Sequence, residues 1–186
     1  MLTPKSTLLL LSGGIDSSAC LHYYLNKGFS VSALFIHYGQ ISASKEESAA
    51  TNISKHYNIP IEKIKLTGFK KWAGGYIPGR NAFLLHTALM AFKENTGIIS
   101  IGIHAGTNYN DCSERFIATM QSSFDIYTDG CIRIGVPFMK WDKRMIWDYC
   151  KLNQVPLEIT YSCELGQEQP CGQCLSCKDL EALRVG

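Results

Sequence analysis

Short apolar runs alternate along the chain with segments whose apolar residues recur at helical spacing, which predicts an α/β fold with a parallel sheet. The first run, Thr7 to Leu11, leads into Ser12-Gly13-Gly14-Ile15-Asp16-Ser17 and a helix through Asn26 that Lys27-Gly28 terminates. A strand from Ser30 to Ile36 follows. Ser44-Lys45-Glu46-Glu47 matches a capping box opening a helix to about His56, which Ile59-Pro60 stops. A third strand, Ile61 to Leu66, precedes a Gly-rich loop from Gly68 to Gly79, after which Leu84, Leu85, Ala88, Leu89 and Phe92 share one helical face. Ile98 to His104 reads as a buried strand. Asp111 is placed to cap a helix from Cys112, along which Phe116, Ile117 and Met120 recur. Ile132 to Val136 reads as the last strand, and Asp142 caps a helix from Lys143 to about Leu152. From Cys163 onward the chain is too rich in Cys, Gly, Gln and Pro for a regular element.

Composition narrows this picture. At 186 residues, 46% hydrophobic and 18% charged, the chain can bury one sizeable core with a small appendage, which excludes a disordered protein. Lys+Arg 18 against Asp+Glu 16 leaves a formal charge of +2, and the densest basic cluster is only Lys70-Lys71 beside Trp72. Direct nucleic-acid binding is therefore not favoured. The apolar run from Leu8 to Leu11 is too short for a signal-peptide core, and no stretch reaches membrane-spanning length. A cytoplasmic protein is expected.

Three groups of residues carry chemistry. Ser12-Gly13-Gly14-Ile15-Asp16-Ser17 lies between a strand and a helix, where glycines admit an anion, hydroxyls and backbone N–H groups donate to phosphate, and the helix N-terminus adds positive charge. Asp16 makes sense there if Mg²⁺ accompanies the phosphates. A plain Ser/Gly turn with an ordinary cap is the bland alternative. Neither Gly-x-x-x-x-Gly-Lys-Ser/Thr nor Gly-x-Gly-x-x-Gly occurs after the first strand, which argues against a Walker-type NTPase and a dinucleotide fold. Four of the eight cysteines, Cys163, Cys171, Cys174 and Cys177, crowd into the tail at a spacing that can close a tetrahedral Zn²⁺ shell, although a [4Fe–4S] cluster accepts the same ligands. The other four read as small core residues or surface thiols. Tyr76-Ile77-Pro78-Gly79-Arg80-Asn81 opens a helix with a guanidinium and an amide able to hold a carboxylate, a phosphate or a purine edge.

Ser-Gly-Gly-x-Asp-Ser after an N-terminal strand resembles the PP-loop of the ATP pyrophosphatases, which are HUP-type α/β enzymes (adenine nucleotide alpha hydrolase-like). Together with the Tyr-x-Pro-Gly-Arg-Asn segment and the four-cysteine tail, it resembles the 7-cyano-7-deazaguanine synthase (QueC) family over about Thr7 to Leu183. The run Phe35 to Gln40, Asp111-Cys112 and Val136-Pro137 with Lys143 also find counterparts. The departures are a spacer of only nine residues between Leu66 and Tyr76, His37 in place of an acidic residue, a shorter Gly102 to Ser113 loop, and Ser113 where an arginine is common.

The resemblance implies a HUP-like parallel sheet with helices on both faces over residues 1–160 and a zinc-binding four-cysteine knot over 161–186. It implies a ligase that adenylates 7-carboxy-7-deazaguanine with ATP and uses ammonia to give 7-cyano-7-deazaguanine, releasing AMP or ADP-level products and phosphate or pyrophosphate. Leu11, Ser12, Gly13, Gly14, Asp16, Ser17 and Ser18 would bind ATP, with Asp16 at Mg²⁺. Lys143 and Arg80 would neutralise charge as pyrophosphate leaves, and Arg80, Asn81 and Asp111 would contact the acceptor. The implied assembly is a homodimer, with a protein acceptor or partner also open. Two rival readings stand beside this one: a QueC-like ATP pyrophosphatase that adenylates a modified base or a protein, and a nucleotide-binding zinc module without turnover.

Overall fold

The computed structural model describes residues 5–68, 75–104, 106 and 109–185. Lys70, Lys71 and Trp72, part of the Gly68 to Gly79 loop, and Ala105, Thr107 and Asn108 lie outside the described residues. Five parallel strands form one sheet in the order β3-β2-β1-β4-β5: β1 (Ser6–Leu10), β2 (Ser30–His37), β3 (Ile61–Lys65), β4 (Gly97–Ser100) and β5 (Ile132–Gly135). Among the described residues six α-helices connect and flank them: α1 (Ile15–Asn26), α2 (Ala43–His56), α3 (Arg80–Ala91), α4 (Glu114–Thr128), α5 (Lys143–Leu152) and α6 (Leu175–Val185). None is long and apolar enough to cross a membrane.

The strands alternate between two cores because successive side chains point to opposite faces. Leu9, Leu11, Val31, Ala33 and Phe35 pack against α1, α2 and α5, whereas Leu8, Leu10, Leu34, Ile36 and Ile99 pack against α3 and α4. Helices thus cover both faces, as expected. β1 pairs with β2 on one side and with β4 on the other, so the strand order reverses between β1 and β4. Open α/β sheets bind ligands in the crevice beyond the carboxyl ends of the strands at such a switch point.

Several predicted boundaries are corrected. β4 ends at Ser100; Ile101 N–H still donates to the Gly135 carbonyl at 3.1 Å, and Gly102 to His104 continue outside the strand. α2 starts before the predicted capping box: Ser42, not Ser44, precedes it, and the Ser42 hydroxyl donates to Glu46 at 2.6 Å instead of capping backbone. Asp111 sits in a 3₁₀ turn, Asn110–Cys112, and Ser113 is the residue whose side chain accepts from Phe116 N–H at 3.2 Å to cap α4. The tail does contain a regular element. In α6, Leu180 packs against the α1–α5 core and Leu183 is buried, so tertiary burial outweighs the poor local composition.

Candidate active site

The predicted phosphate loop joins β1 to α1. Gly13 has φ +84°, and a Cβ there would stand 2.7 Å from the Glu46 carbonyl and 2.8 Å from Ala49 Cβ, so only glycine lets the loop lie on α2. Gly14 caps α1 in extended conformation, and Ser17 and Ser18 donate to its carbonyl at 3.0 and 2.8 Å. Ser12 and Ser17 hydroxyls are 3.1 Å apart. Leu11, Ser12, Gly14, Asp16 and Ser17 line a cleft of about 320 Å³. Gly13 and Ser18 do not: Ser18 is fully buried and supports the loop from behind.

Asp16 and Lys143, distant in sequence, meet at the cleft wall, with Lys143 Nζ 2.6 and 2.8 Å from the two carboxylate oxygens. Lys143 reaches this place because Asp142 caps α5, accepting from Met145 N–H at 2.8 Å and starting the helix beside the loop. His104, to which no sequence motif points, stands beside this pair. Its Nδ1 accepts from Gly106 N–H at 3.0 Å, which leaves the proton on Nε2, 3.7 Å from Asp16 Oδ2. Burial lowers the His104 pKa, against the pull of Asp16 and with the help of Lys143, so the imidazole is neutral at pH 7.

Arg80 and Asn81 open α3 after Gly79, as the motif predicts, and Arg80 lines the cleft. Asn81 is buried and donates to the Asp111 carbonyl at 3.1 Å, tying the α3 start to the turn before α4. The Asp111 carboxylate is buried, and neither oxygen has a hydrogen-bond partner among the described residues. It lines neither part of the cleft, whereas the adjacent Cys112 does. Gln40 and Glu46 face the cleft too; Gln40 Nε2 donates to Glu46 at 3.0 Å, which fixes that carboxylate on the wall. Burial pushes Tyr38 up, and Arg80 beside it pulls the other way.

Asp16, Lys143 and Arg80 stand on the boundary with a second chamber of about 250 Å³, bounded also by His104, Tyr109, Cys112 and Asp179. Glu164 and Ser176 line both chambers. The cysteine segment is thus a wall of the site, which motif spacing did not reveal. It is docked on the phosphate loop by Tyr161 N–H, which donates to the Gly13 carbonyl at 2.9 Å.

Cys163, Cys171, Cys174 and Cys177 bring their sulfurs within 4.8 Å of one another, and Cys171 and Cys177 are 3.8 Å apart. Zinc–sulfur bonds of about 2.3 Å in a tetrahedron require sulfur–sulfur edges of about 3.8 Å, so the cluster is compatible with a single zinc ion. Thiolates on the corners of a cubane stand farther apart. Gln173 and Cys174 N–H groups donate to Cys171 Sγ at 3.4 and 3.3 Å and lower its pKa. Burial opposes the shift at Cys163, but backbone N–H groups of Cys171 and Leu165 hold it down to about 6. Cys163 and Cys171 therefore favour the thiolate a metal binds, whereas burial pushes Cys177 up to about 12, and its proton is one that metal binding would displace. Outside the cluster, burial pushes Cys150 up to about 12 and Cys20 well up, as expected of core thiols.

The sequence model of the family described as "Queuosine biosynthesis protein QueC" matches residues 6–75 and 70–183. A 7-cyano-7-deazaguanine synthase of Thermoplasma volcanium is 34% identical over 206 aligned positions, covering 94% of this chain and 84% of that protein. One from Campylobacter jejuni is 29% identical, covering 93% and 90%. Among solved structures, the NMN synthetase of Francisella tularensis superposes with a TM-score of 0.50 at 18% identity, over 99% of this chain and 78% of that one, a likeness of fold.

Proposed function

Because the chain belongs to the queuosine biosynthesis protein QueC family, we propose that it is an ATP-dependent, adenylate-forming synthase converting 7-carboxy-7-deazaguanine and ammonia to 7-cyano-7-deazaguanine. The observation that carries this reading is the shared wall: Asp16, Lys143 and Arg80 border both the phosphate-loop chamber and the second chamber. That is where an α-phosphate must meet an acceptor carboxylate. On this reading residues 1–160 form the ATP-cleaving body, and 161–186 form a zinc-bound segment closing the acceptor side.

A carboxylate resists attack by ammonia because its leaving group is oxide. Attack of its oxygen on the α-phosphorus of ATP breaks the bond to the β-phosphate, forms an acyl adenylate and releases pyrophosphate. Ammonia then adds to the carbonyl carbon, AMP leaves and a proton is lost, giving the amide. Attack of the amide oxygen on the α-phosphorus of a second ATP releases a second pyrophosphate, and loss of AMP together with the two protons on nitrogen then leaves the nitrile. Leu11, Ser12, Gly14 and Ser17 would seat the nucleotide, with phosphate oxygens at the α1 N-terminus. Asp16 and Lys143 hold one another until the triphosphate arrives, and Lys143 and Arg80 then face the departing charge. The Asp16 and Glu46 carboxylates on this wall suit Mg²⁺, held by Asp16 directly or through water, which would screen the phosphates. Asn81 and Asp111 shape the acceptor side through the turn that presents Cys112.

One observation supports a second acceptor. The Thermoplasma match runs over 206 positions against a chain of 186, so that relative carries segments this chain lacks, and Gly75 at the end of the short spacer and Gly102, His104, Tyr109 and Cys112 of the following loop border the second chamber. Pyrophosphate release on adding 7-carboxy-7-deazaguanine and ammonium, with mass analysis of the product, tests the reading. Nitrile formation supports the synthase. Turnover only with another base or a protein moves the assignment to the QueC-like relative, and no turnover with any acceptor leaves a binding module.

A further inference from the structure

We infer that Glu164 is a positioning residue that couples the four-cysteine cluster to the loop delivering Arg80. Glu164 directly follows Cys163, and Ser176 directly precedes Cys177. Glu164 Oε1 accepts from the Ser176 hydroxyl at 2.8 Å and from Ser176 N–H at 3.3 Å, while Oε2 accepts from Gly75 N–H at 3.2 Å. One carboxylate therefore joins two cysteine neighbours to a backbone group five residues before Arg80.

Each end of this bridge is fixed. Ser176 lies in the first turn of α6, where free N–H groups and the helix dipole favour a carboxylate, and the Cys174 carbonyl accepts from Cys177 and Lys178 N–H at 3.1 Å to begin that helix. With Cys177 in the same turn, metal binding at the cysteines sets where Ser176 and Glu164 stand. At the other end, Ile77 is buried and its carbonyl accepts from Arg80 N–H at 3.1 Å, so anchoring Gly75 restrains the short run into α3. Hydrogen bonds to a charged acceptor are the stronger kind. A glutamine at 164 keeps the size but replaces one acceptor oxygen by an NH₂ donor, so it cannot accept from the Ser176 and Gly75 N–H groups on separate oxygens as the carboxylate does.

The inference rests on the synthase reading only for its kinetic arm. In zinc-loaded Glu164→Gln, the Gly75 amide should exchange with deuterium at least about tenfold faster than in the parent, with zinc content and melting temperature unchanged. Acceptor KM should rise about tenfold with kcat within about threefold, a KM shift worth about 1.4 kcal/mol. Ser176→Ala, which keeps the Gly75 contact and one of the two Ser176 contacts, should give a smaller change of the same kind. Removing zinc from the parent should speed exchange at Gly75 as well as along α6. Unchanged Gly75 exchange in Glu164→Gln, or zinc removal that loosens α6 while Gly75 stays protected, overturns the coupling. Because exchange needs no acceptor, failure of the synthase reading leaves that arm intact.

Discussion

Two glycines with left-handed backbone stand where the phosphate loop and the cysteine segment press on α2 and on its approach. Gly13, in the phosphate loop, meets Glu46, Ala49 and Ala50; Gly166, in the cysteine segment, meets Ile41 and Ser42, with a Cβ only 2.7 Å from the Ile41 carbonyl. The contact is the same in kind, but the support behind it differs. Behind Gly13 lie β1 and α1, with Leu9, Leu11, Ala19 and Leu21 buried in the larger core, and the loop's own hydroxyls close on Gly14. Behind Gly166, among residues 163–185, only Cys163, Cys177 and Leu183 are buried. Leu180 and Leu183 dock α6 on the body, but this is too little apolar surface to offset the conformational entropy of the whole segment, so its shape depends on the thiolate cluster as well. One wall is held by the core and the other by chemistry that can be removed.

Removal is the strongest way to break the comparison. Apparent binding free energies of structural zinc sites are about 10 kcal/mol or more, and a zinc ion in this cluster would bear on one segment. Chelation should lower the melting temperature by about 10 °C, abolish protection of α6 and stop turnover, while leaving the α/β circular dichroism largely intact. Calorimetry with a zinc assay checks this, and a demetallated protein that keeps its melting temperature refutes it. Next in size is Asp16→Asn, on the rigid wall. ATP-to-AMP turnover should fall about 1000-fold, about 4 kcal/mol of transition-state stabilisation, with little change in unfolding. Full turnover in that variant would sink the proposed role of Asp16.

The same difference explains what could be read from sequence. The phosphate loop is local: Ser12 to Ser17 form a continuous motif whose glycines and hydroxyls announce its geometry, and the four thiols are readable as a ligand set. Arg80 and Asn81 were legible for the same reason. Residues whose roles come from distant partners were not. His104 acquires its role only when β4 lies beside β1 and sets its imidazole near Asp16. Glu164 belongs to no motif, and its place is defined only by Gly75 and Ser176, distant in sequence, which converge on it. α6 was missed because Cys171 to Cys177 mask its start, and the apolar spacing of Leu180 and Leu183 has meaning only against the packed body.

Smaller effects sharpen the contrast. Gly13→Ala should destabilise the protein by about 2–4 kcal/mol whether or not zinc is bound, since a Cβ at φ +84° meets backbone that cannot retreat. Gly166→Ala should cost about 1–2 kcal/mol in the zinc form and nothing measurable after chelation, when its segment has already come away. Denaturant melts of both variants with and without chelator check this, and equal chelator sensitivity would remove the distinction. His104 adds a pH signature. Because burial lowers its pKa below 6.5, the stability it contributes is fully present above pH 6.5 and is lost as pH falls through the folded-state value. His104→Gln should flatten that part of the stability profile.

The smallest expected change lies at an ion pair between the two walls. Lys45 on α2 pairs with Glu168 in the cysteine segment, but Glu168 is 85% exposed, so water and salt screen the attraction and ordering two long side chains offsets much of it. Lys45→Ala should therefore shift stability by less than about 1 kcal/mol and leave protection of α6 unchanged in the zinc form. If the variant instead loosens α6 as chelation does, surface charge and not the thiolate cluster holds the second wall in place. Hydrogen exchange of α6 at low and high salt separates the two, because screening weakens an exposed pair and leaves metal–thiolate bonds intact.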